Sequence, residues 1–282
     1  PPMTLFLLRA YGDFVIAVNV ASRSAYNTSY LLVASKHLEP LYEAIAPELP
    51  APIQIRFEDF SLDKQLMRCF TDRYLLHPHT LTELYSLRRF IRKSLASGDI
   101  KGELYMEQQK RIFFPQIFCG LNFRPVVTGG KVYEAYARFF SVPMHQLETF
   151  DPRQKEAKNI LIVPDSRQPI KVIDKDIIQQ IQDHYVSATV TVAFFKKAWE
   201  GISGNIVLYH DFHELIQLIK STDFLMGGDS LPVHLAQLLH IPHCILYPGS
   251  KTMNFFTPFA LQQHCFFTFD AVRNKPSILK DV

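Results

Sequence analysis

Residues 224–250 read FLMGGDSLPVHLAQLLHIPHCILYPGS, and the order of apolar runs and breakers in this stretch decides the fold class. Phe224-Leu225-Met226 is a short apolar run that stops at Gly227-Gly228, the pattern of a buried strand ended by residues without side chains. Asp229 and Ser230 are helix-capping residue types, and a helix over Ser230–Leu239 then carries Leu235 and Leu239 inward. A second strand, Cys244–Tyr247, ends at Pro248-Gly249. Strand, helix and strand in so short a span imply a parallel pair joined by a helical crossover. The free N–H groups at the helix start, with the Gly228 turn and the Ser230 hydroxyl, make an anion site of the kind that holds a pyrophosphate. Asp229 is negative and suits sugar hydroxyls better; the plainer reading is that Asp229-Ser230 only caps the helix.

The same alternation extends in both directions. Strands are predicted at Asn159–Val163, Ala188–Phe195 and Asn205–Tyr209, with helices at Lys175–Tyr185 and Phe212–Lys220. The first half predicts a strand at Leu5–Leu8, a turn at Tyr11-Gly12-Asp13, a helix at Phe14–Ala21 and a strand at Tyr30–Ala34. A helix at Leu38–Ala46, a strand at Ile53–Phe57, a basic helix at Leu81–Ala96 and a strand near Glu103–Met106 follow. Short apolar runs rich in β-branched residues, alternating with helices, give parallel sheets covered on both faces. The polar stretch Glu148–Lys158 has linker composition, so the expected architecture is α/β with two doubly wound, Rossmann-like domains, 3–150 and 151–282. Their carboxyl strand ends are expected to face each other across a cleft, where open α/β sheets bind ligands.

Composition narrows the class. In 282 residues, 48% hydrophobic and 20% charged, with 23 Phe, there is enough apolar surface for sizeable cores, and disordered, collagen-like and coiled-coil chains are excluded. No fixed-period repeat is present, which excludes solenoids and propellers. No apolar run approaches the roughly 18 residues a membrane span needs, and no secretory signal precedes the first strand, so a soluble cytoplasmic protein is expected. Met3 is read as the initiator, with Pro1 and Pro2 outside the fold. Cys69, Cys119, Cys244 and Cys265 lack zinc-site spacing and are expected to be reduced. The net charge is only +3, but positions 84–131 hold nine basic and three acidic residues, including Arg88, Arg89, Arg92 and Lys93. So local an excess points to an anionic partner rather than nucleic acid; a solvated helix face is the bland alternative.

Two segments carry a family resemblance. Gly228-Asp229-Ser230, with His234-Leu235-Ala236, Ile241-Pro242 and Tyr247-Pro248-Gly249-Ser250, resembles the Asp-Thr/Ser-Gly-x-x-His-Leu-Ala signature of glycosyltransferase family 9, the ADP-heptose:lipopolysaccharide heptosyltransferases. Leu8-Arg9-Ala10-Tyr11-Gly12-Asp13 is similar to that family's Arg-x-x-x-Gly-Asp turn. The resemblance implies a GT-B fold and an inverting, metal-independent transfer of a sugar from a nucleotide diphosphate sugar, ADP-heptose being the donor in that family's name, to a hydroxyl of lipopolysaccharide or another surface glycan. No cofactor is implied beyond the nucleotide sugar. The implied setting is the cytoplasm, with peripheral contact at the inner face of the cytoplasmic membrane.

The resemblance also implies roles. Asp13, beside Gly12, would be the general base; its plainer role is to cap the helix beginning at Phe14, and both can coexist. Lys171 would offset charge on the departing diphosphate, with Arg167 able to substitute. Gly12, Gly228, Asp229 and Ser230 would hold the donor, and His234 would brace the nucleotide loop or simply pack. Arg88, Arg89 and Arg92 would meet phosphate or carboxylate groups of the acceptor. Lys196 and Lys197, after the strand ending at Phe195, read as surface charge.

Other patterns carry less. His77-Pro78-His79, His210-x-x-His213 and His240-x-x-His243 have no accompanying ligand set, so no metal site is expected. Leu231 stands where the family signature has Gly, and only Asp270–Val282 remains for a closing helix. These departures keep open a catalytically weak sugar-nucleotide-binding protein of a polysaccharide assembly complex. A GT-B sugar-nucleotide epimerase is the third reading.

Overall fold

The parallel sheets are built from short runs of apolar residues flanked by polar ones, and the order in which they pair sets where ligands can bind. The computed structural model describes residues 3–8, 10–26, 29–59, 78–100, 102–108, 120, 122–148, 157–166, 168–249 and 253–281. They form two compact units, 1–43 with 50–142 and 44–49 with 143–282. The expected boundary stretch, Glu148–Lys158, lies for the most part outside the described residues.

In the first unit, β1 (Met3–Leu7), β2 (Tyr30–Ser35), β3 (Ile55–Glu58), β4 (Glu103–Gln108) and β5 (Phe123–Val127) pair in the order β3-β2-β1-β4-β5, every neighbour parallel. Phe6, Leu8, Val33, Leu104, Met106 and Phe123 share a core with Leu87 and Ile91 of the helix Pro78–Ser97. Leu5, Leu7, Leu32 and Ala34 alternate with that set and are buried too. The helix Tyr11–Ala21 buries every residue from Asp13 to Ala21. A helix enclosed on all sides has no use for a polar face, which is why Phe14–Ala21 is almost wholly apolar.

Three features here depart from expectation. Tyr11-Gly12-Asp13 is the first turn of the helix rather than a separate turn, since the Phe14 N–H already donates to the Ala10 carbonyl at 3.0 Å. Asp13 therefore sits inside the helix and is not its N-cap, although a carboxylate in a first turn still favours the helix dipole. Strand β5 and the helix Val132–Phe139 have no counterpart in the periodicity reading. Arg124 and Pro125 disguise β5, and an edge strand is where a proline is tolerated.

In the second unit, β6 (Asn159–Val163), β7 (Thr189–Phe195), β8 (Asn205–Tyr209), β9 (Phe224–Gly228), β10 (His243–Tyr247) and β11 (Phe266–Thr268) pair in the order β11-β10-β9-β6-β7-β8, again all parallel. The crossovers run one way from β6 and the other way from β9, so the topological switch point lies between these two strands. By the same reasoning the first unit switches between β1 and β4. Ile160, Ile162, Val192, Phe194 and Met226 meet Ile177 and Ile181 of the helix Lys175–His184 in one core. The C-terminal helix Phe269–Asn274 and the 3-10 turns Pro276–Asp281 add Val272 and Leu279 to that core. Arg273 ties this end down by ion pairs to Asp174, Asp176 and Asp270. Among the described residues no helix is long and apolar enough to cross a membrane.

A buried polar network crosses the second core. The His243 ring donates from Nδ1 to the Ile241 carbonyl at 2.8 Å and accepts at Nε2 from the Thr257 hydroxyl at 2.6 Å. Both polar atoms of the neutral ring are thus used, and burial, with His234 nearby, lowers its pKa to about 3. The unfolded imidazole titrates near 6.5, so the contribution of His243 to stability is complete above about pH 6.5. It falls by up to about 1.4 kcal/mol per pH unit as pH drops toward the folded value. Urea unfolding midpoints from pH 7.5 to 5 should fall more steeply for the wild type than for His243→Asn; parallel slopes would refute the assignment.

Candidate active site

The richest cluster sits at the switch point of the second unit. The loop after β6 turns through the 3-10 segment Pro169–Lys171 and brings Lys171 against the end of β9. That approach depends on Gly228: a Cβ there would stand 2.5 Å from the Lys171 carbonyl oxygen. The neighbouring Gly227 is less constrained, its Cβ position being 3.1 Å from a Val233 methyl.

Held this way, the Lys171 ammonium donates to the Asp229 carboxylate at 2.7 Å and to the Asp229 carbonyl at 2.6 Å. The pair is largely withdrawn from water, the Lys171 side chain being 16% and that of Asp229 6% exposed. One carboxylate oxygen, Oδ2, is occupied by the ammonium; Oδ1 is buried without a hydrogen-bond partner among the described residues. An ionised oxygen buried in that state is costly unless a donor reaches it.

Of the other residues expected to hold the donor, Gly228 and Ser230 lie at the same end of the sheet. Ser230 occupies the N-cap position of the helix Leu231–Leu238, but its hydroxyl turns back to the Gly228 carbonyl at 3.3 Å and does not cap. Pro232 at the second helical position has no N–H, so this helix, opened by Leu231 where the family signature has Gly, offers outside acceptors only the Leu231 and Val233 amides. His234 is buried inside the helix, close enough to His243 to disfavour protonation there, so it belongs to the core. Arg167 lies outside the described residues, as do Arg9 and Ser250 of the two motifs. Lys196 and Lys197 are exposed after β7, Lys196 lying 4.8 Å over the Phe195 ring.

Sequence reasoning passed over Asp165 in this group. It follows β6 by two residues and accepts from the Phe195 N–H at 2.9 Å, tying the ends of β6 and β7 together. Burial raises its pKa, partly offset by that hydrogen bond. An acid directly after a buried strand is the signal that would have singled it out.

In the first unit, Asp13 is 5% exposed and opens the Tyr11–Ala21 helix together with the half-buried Gly12. Two further polar side chains gather at this end of the sheet, neither of which the motifs pointed to: Glu107 near the end of β4 and Ser35 at the end of β2, 3% and 2% exposed. Arg88 is half-buried, and Arg89, Arg92 and Lys93 are exposed, on the side of the Pro78–Ser97 helix away from Leu87, Ile91 and Ser94. None of these cations has an ion-pair partner among the described residues. Among the described residues no three His, Cys, Asp or Glu side chains come together as a metal site; His77, Cys69 and Cys119 fall outside them.

Solved structures share this architecture. Over the full length of both chains the protein is similar to the E. coli heptosyltransferase WaaC solved with ADP, at 9% identity and a TM-score of 0.59. It is similar to a glycosyltransferase family 9 protein of Veillonella parvula at 11% identity and a TM-score of 0.57, covering 95% of this chain and 86% of that one. It is also similar to the E. coli ADP-heptose lipopolysaccharide heptosyltransferase II at 12% identity and a TM-score of 0.51, covering 95% and 90%. No protein-family model and no curated protein sequence matches the chain. At these identities the likeness is one of fold, and the chain has the two-sheet α/β fold of these glycosyltransferases.

Proposed function

We propose that the chain is a GT-B glycosyltransferase that takes a nucleotide diphosphate sugar at the β6/β9 switch point and passes the sugar to a hydroxyl of an anionic surface glycan such as lipopolysaccharide, with inversion and without a metal. The observation that carries this reading is the buried Lys171–Asp229 pair with Asp229 Oδ1 unpartnered. A cation and an acceptor-only carboxylate, side by side at the carboxyl ends of a doubly wound sheet, match the two halves of such a donor. The ammonium and the free N–H groups at the Leu231 helix start suit the diphosphate, and the carboxylate suits sugar hydroxyls.

The chemistry follows from those assignments. The acceptor hydroxyl gives its proton to Asp13 as its oxygen attacks the anomeric carbon; the bond from that carbon to the phosphate oxygen breaks, and the nucleoside diphosphate leaves with the electron pair. Lys171, turning from Asp229 to the phosphates, stabilises the charge that develops on the leaving group. Arg88, Arg89 and Arg92 offer guanidinium groups to phosphate or carboxylate on the acceptor. A heptose as the sugar, and the inner membrane face as the place, are parts of the same proposal and rest on the sequence resemblance.

A thermal-shift screen against ADP-, GDP- and UDP-linked sugars tests it. One donor at about 100 times its Kd should stabilise the protein by about 2.7 kcal/mol, and Lys171→Met should lose that shift. A protein that no nucleotide sugar stabilises would sink the proposal. Stabilisation without turnover on any lipid or glycan extract would favour the sugar-nucleotide-binding module.

A further inference from the structure

We infer that Glu107, assisted by Ser35, is a positioning residue that fixes the chain segment carrying Asp13. The inference rests on Asp13 being the base, and it starts from the way β1 leaves its sheet. The last parallel pairs of β1 are Phe6 with Met106 on one side and Leu7 with Ala34 on the other. Beyond those pairs the ladder ends, leaving the N–H and C=O of Leu8 without a place in it. Side chains hold them instead: the Leu8 N–H donates to Glu107 Oε1 at 2.9 Å, and the Leu8 carbonyl accepts from the Ser35 hydroxyl at 3.0 Å.

The clamp lies at the β1/β4 switch point, where the two halves of the sheet diverge and the backbone must leave the ladder. A backbone amide and carbonyl buried there need partners, and the flanking strands supply one each. A glutamate buried this deeply is a costly choice for merely ending a strand. It takes hold one residue past β1, just before the chain turns into the Tyr11 helix whose first turn bears Asp13. The two units thus share a device: in each, a carboxylate spans the switch point, Asp229 to Lys171 in the second and Glu107 to Leu8 in the first.

Misplacing a catalytic group by about 1 Å can cost about 100-fold in rate, so loosening Leu8 should appear in kcat and not in donor binding, which the second unit provides. The experiment compares amide hydrogen exchange of residues 3–13 with transfer kinetics in Glu107→Ala, Glu107→Gln and Ser35→Ala. Glu107→Ala should speed exchange at the Leu8 amide at least about tenfold and lower kcat at least about tenfold, with KM for the donor within about twofold. Glu107→Gln keeps an accepting oxygen and should restore both. Ser35→Ala should give the same pattern at smaller amplitude, and it carries the test if Glu107→Ala fails to fold. Unchanged Leu8 exchange in the folded Ala variants, or a Gln variant as impaired as the Ala variant, overturns the inference. If Asp13→Asn proves fully active while Glu107→Ala still frees the Leu8 amide and slows transfer, the base assignment fails and the clamp stands.

Discussion

Gly228→Ala should destabilise the protein by about 1–3 kcal/mol and abolish its stabilisation by any nucleotide sugar. The added methyl would lie 2.5 Å from the Lys171 carbonyl oxygen and 3.9 Å from that of Leu246, so it is confined between two backbones. A side chain could rotate away from such a contact; a backbone carbonyl anchored in a loop cannot. The relief available is for the Pro169–Lys171 turn to move outward, carrying the Lys171 ammonium off Asp229 and leaving a buried carboxylate uncompensated. Gly227→Ala is the control, because its methyl meets a movable Val233 side chain at 3.1 Å, and it should cost less than about 1 kcal/mol. Thermal unfolding of both variants, with and without donor, reads the result. A Gly228→Ala protein as stable as wild type that still binds donor would mean the close approach has no energetic weight.

Asp13→Asn should lower kcat by about 100- to 10,000-fold while leaving donor affinity unchanged. The amide preserves the shape and much of the hydrogen bonding of the buried carboxylate in the first helical turn, and so should fold normally. What it loses is the ability to take a proton from the attacking hydroxyl. Nucleoside diphosphate release with and without acceptor, alongside thermal shift with donor, separates chemistry from binding. Activity within about threefold of wild type would remove Asp13 from the reaction.

The two units differ in how openly their sequences declare them. In the second, Asn159–Val163, Asn205–Tyr209 and Phe212–Lys220 have the bounds that periodicity predicts, because each apolar run is bracketed by polar or breaking residues. In the first, Tyr11-Gly12-Asp13 looks like a turn by composition and is helix, since the surrounding core rewards extending Phe14–Ala21 backward over propensity. Strand β5 is hidden by Arg124 and Pro125, residues its edge position permits.

The site divides along the same line. Residue type and position single out Asp229 and Ser230, as helix-capping residues directly after a strand, and the family resemblance adds Asp13 and Lys171; local pattern reaches that far. That Lys171 and Asp229, 58 residues apart, form one buried ion pair is decided by the β6–β9 pairing, which brings the loop after one strand against the end of the other. Glu107 could not be singled out from its neighbours along β4, since a lone glutamate at a strand end reads as solvated charge; only the pairing of β4 with β1 places its carboxylate on the Leu8 amide, 99 residues away. Residue type and spacing determined the elements and the chemistry each could carry. Which carboxylate meets which cation or amide was left to the strand order, because hydrogen bonds and ion pairs act over a few ångströms and local sequence cannot say which distant segments the sheet will bring that close.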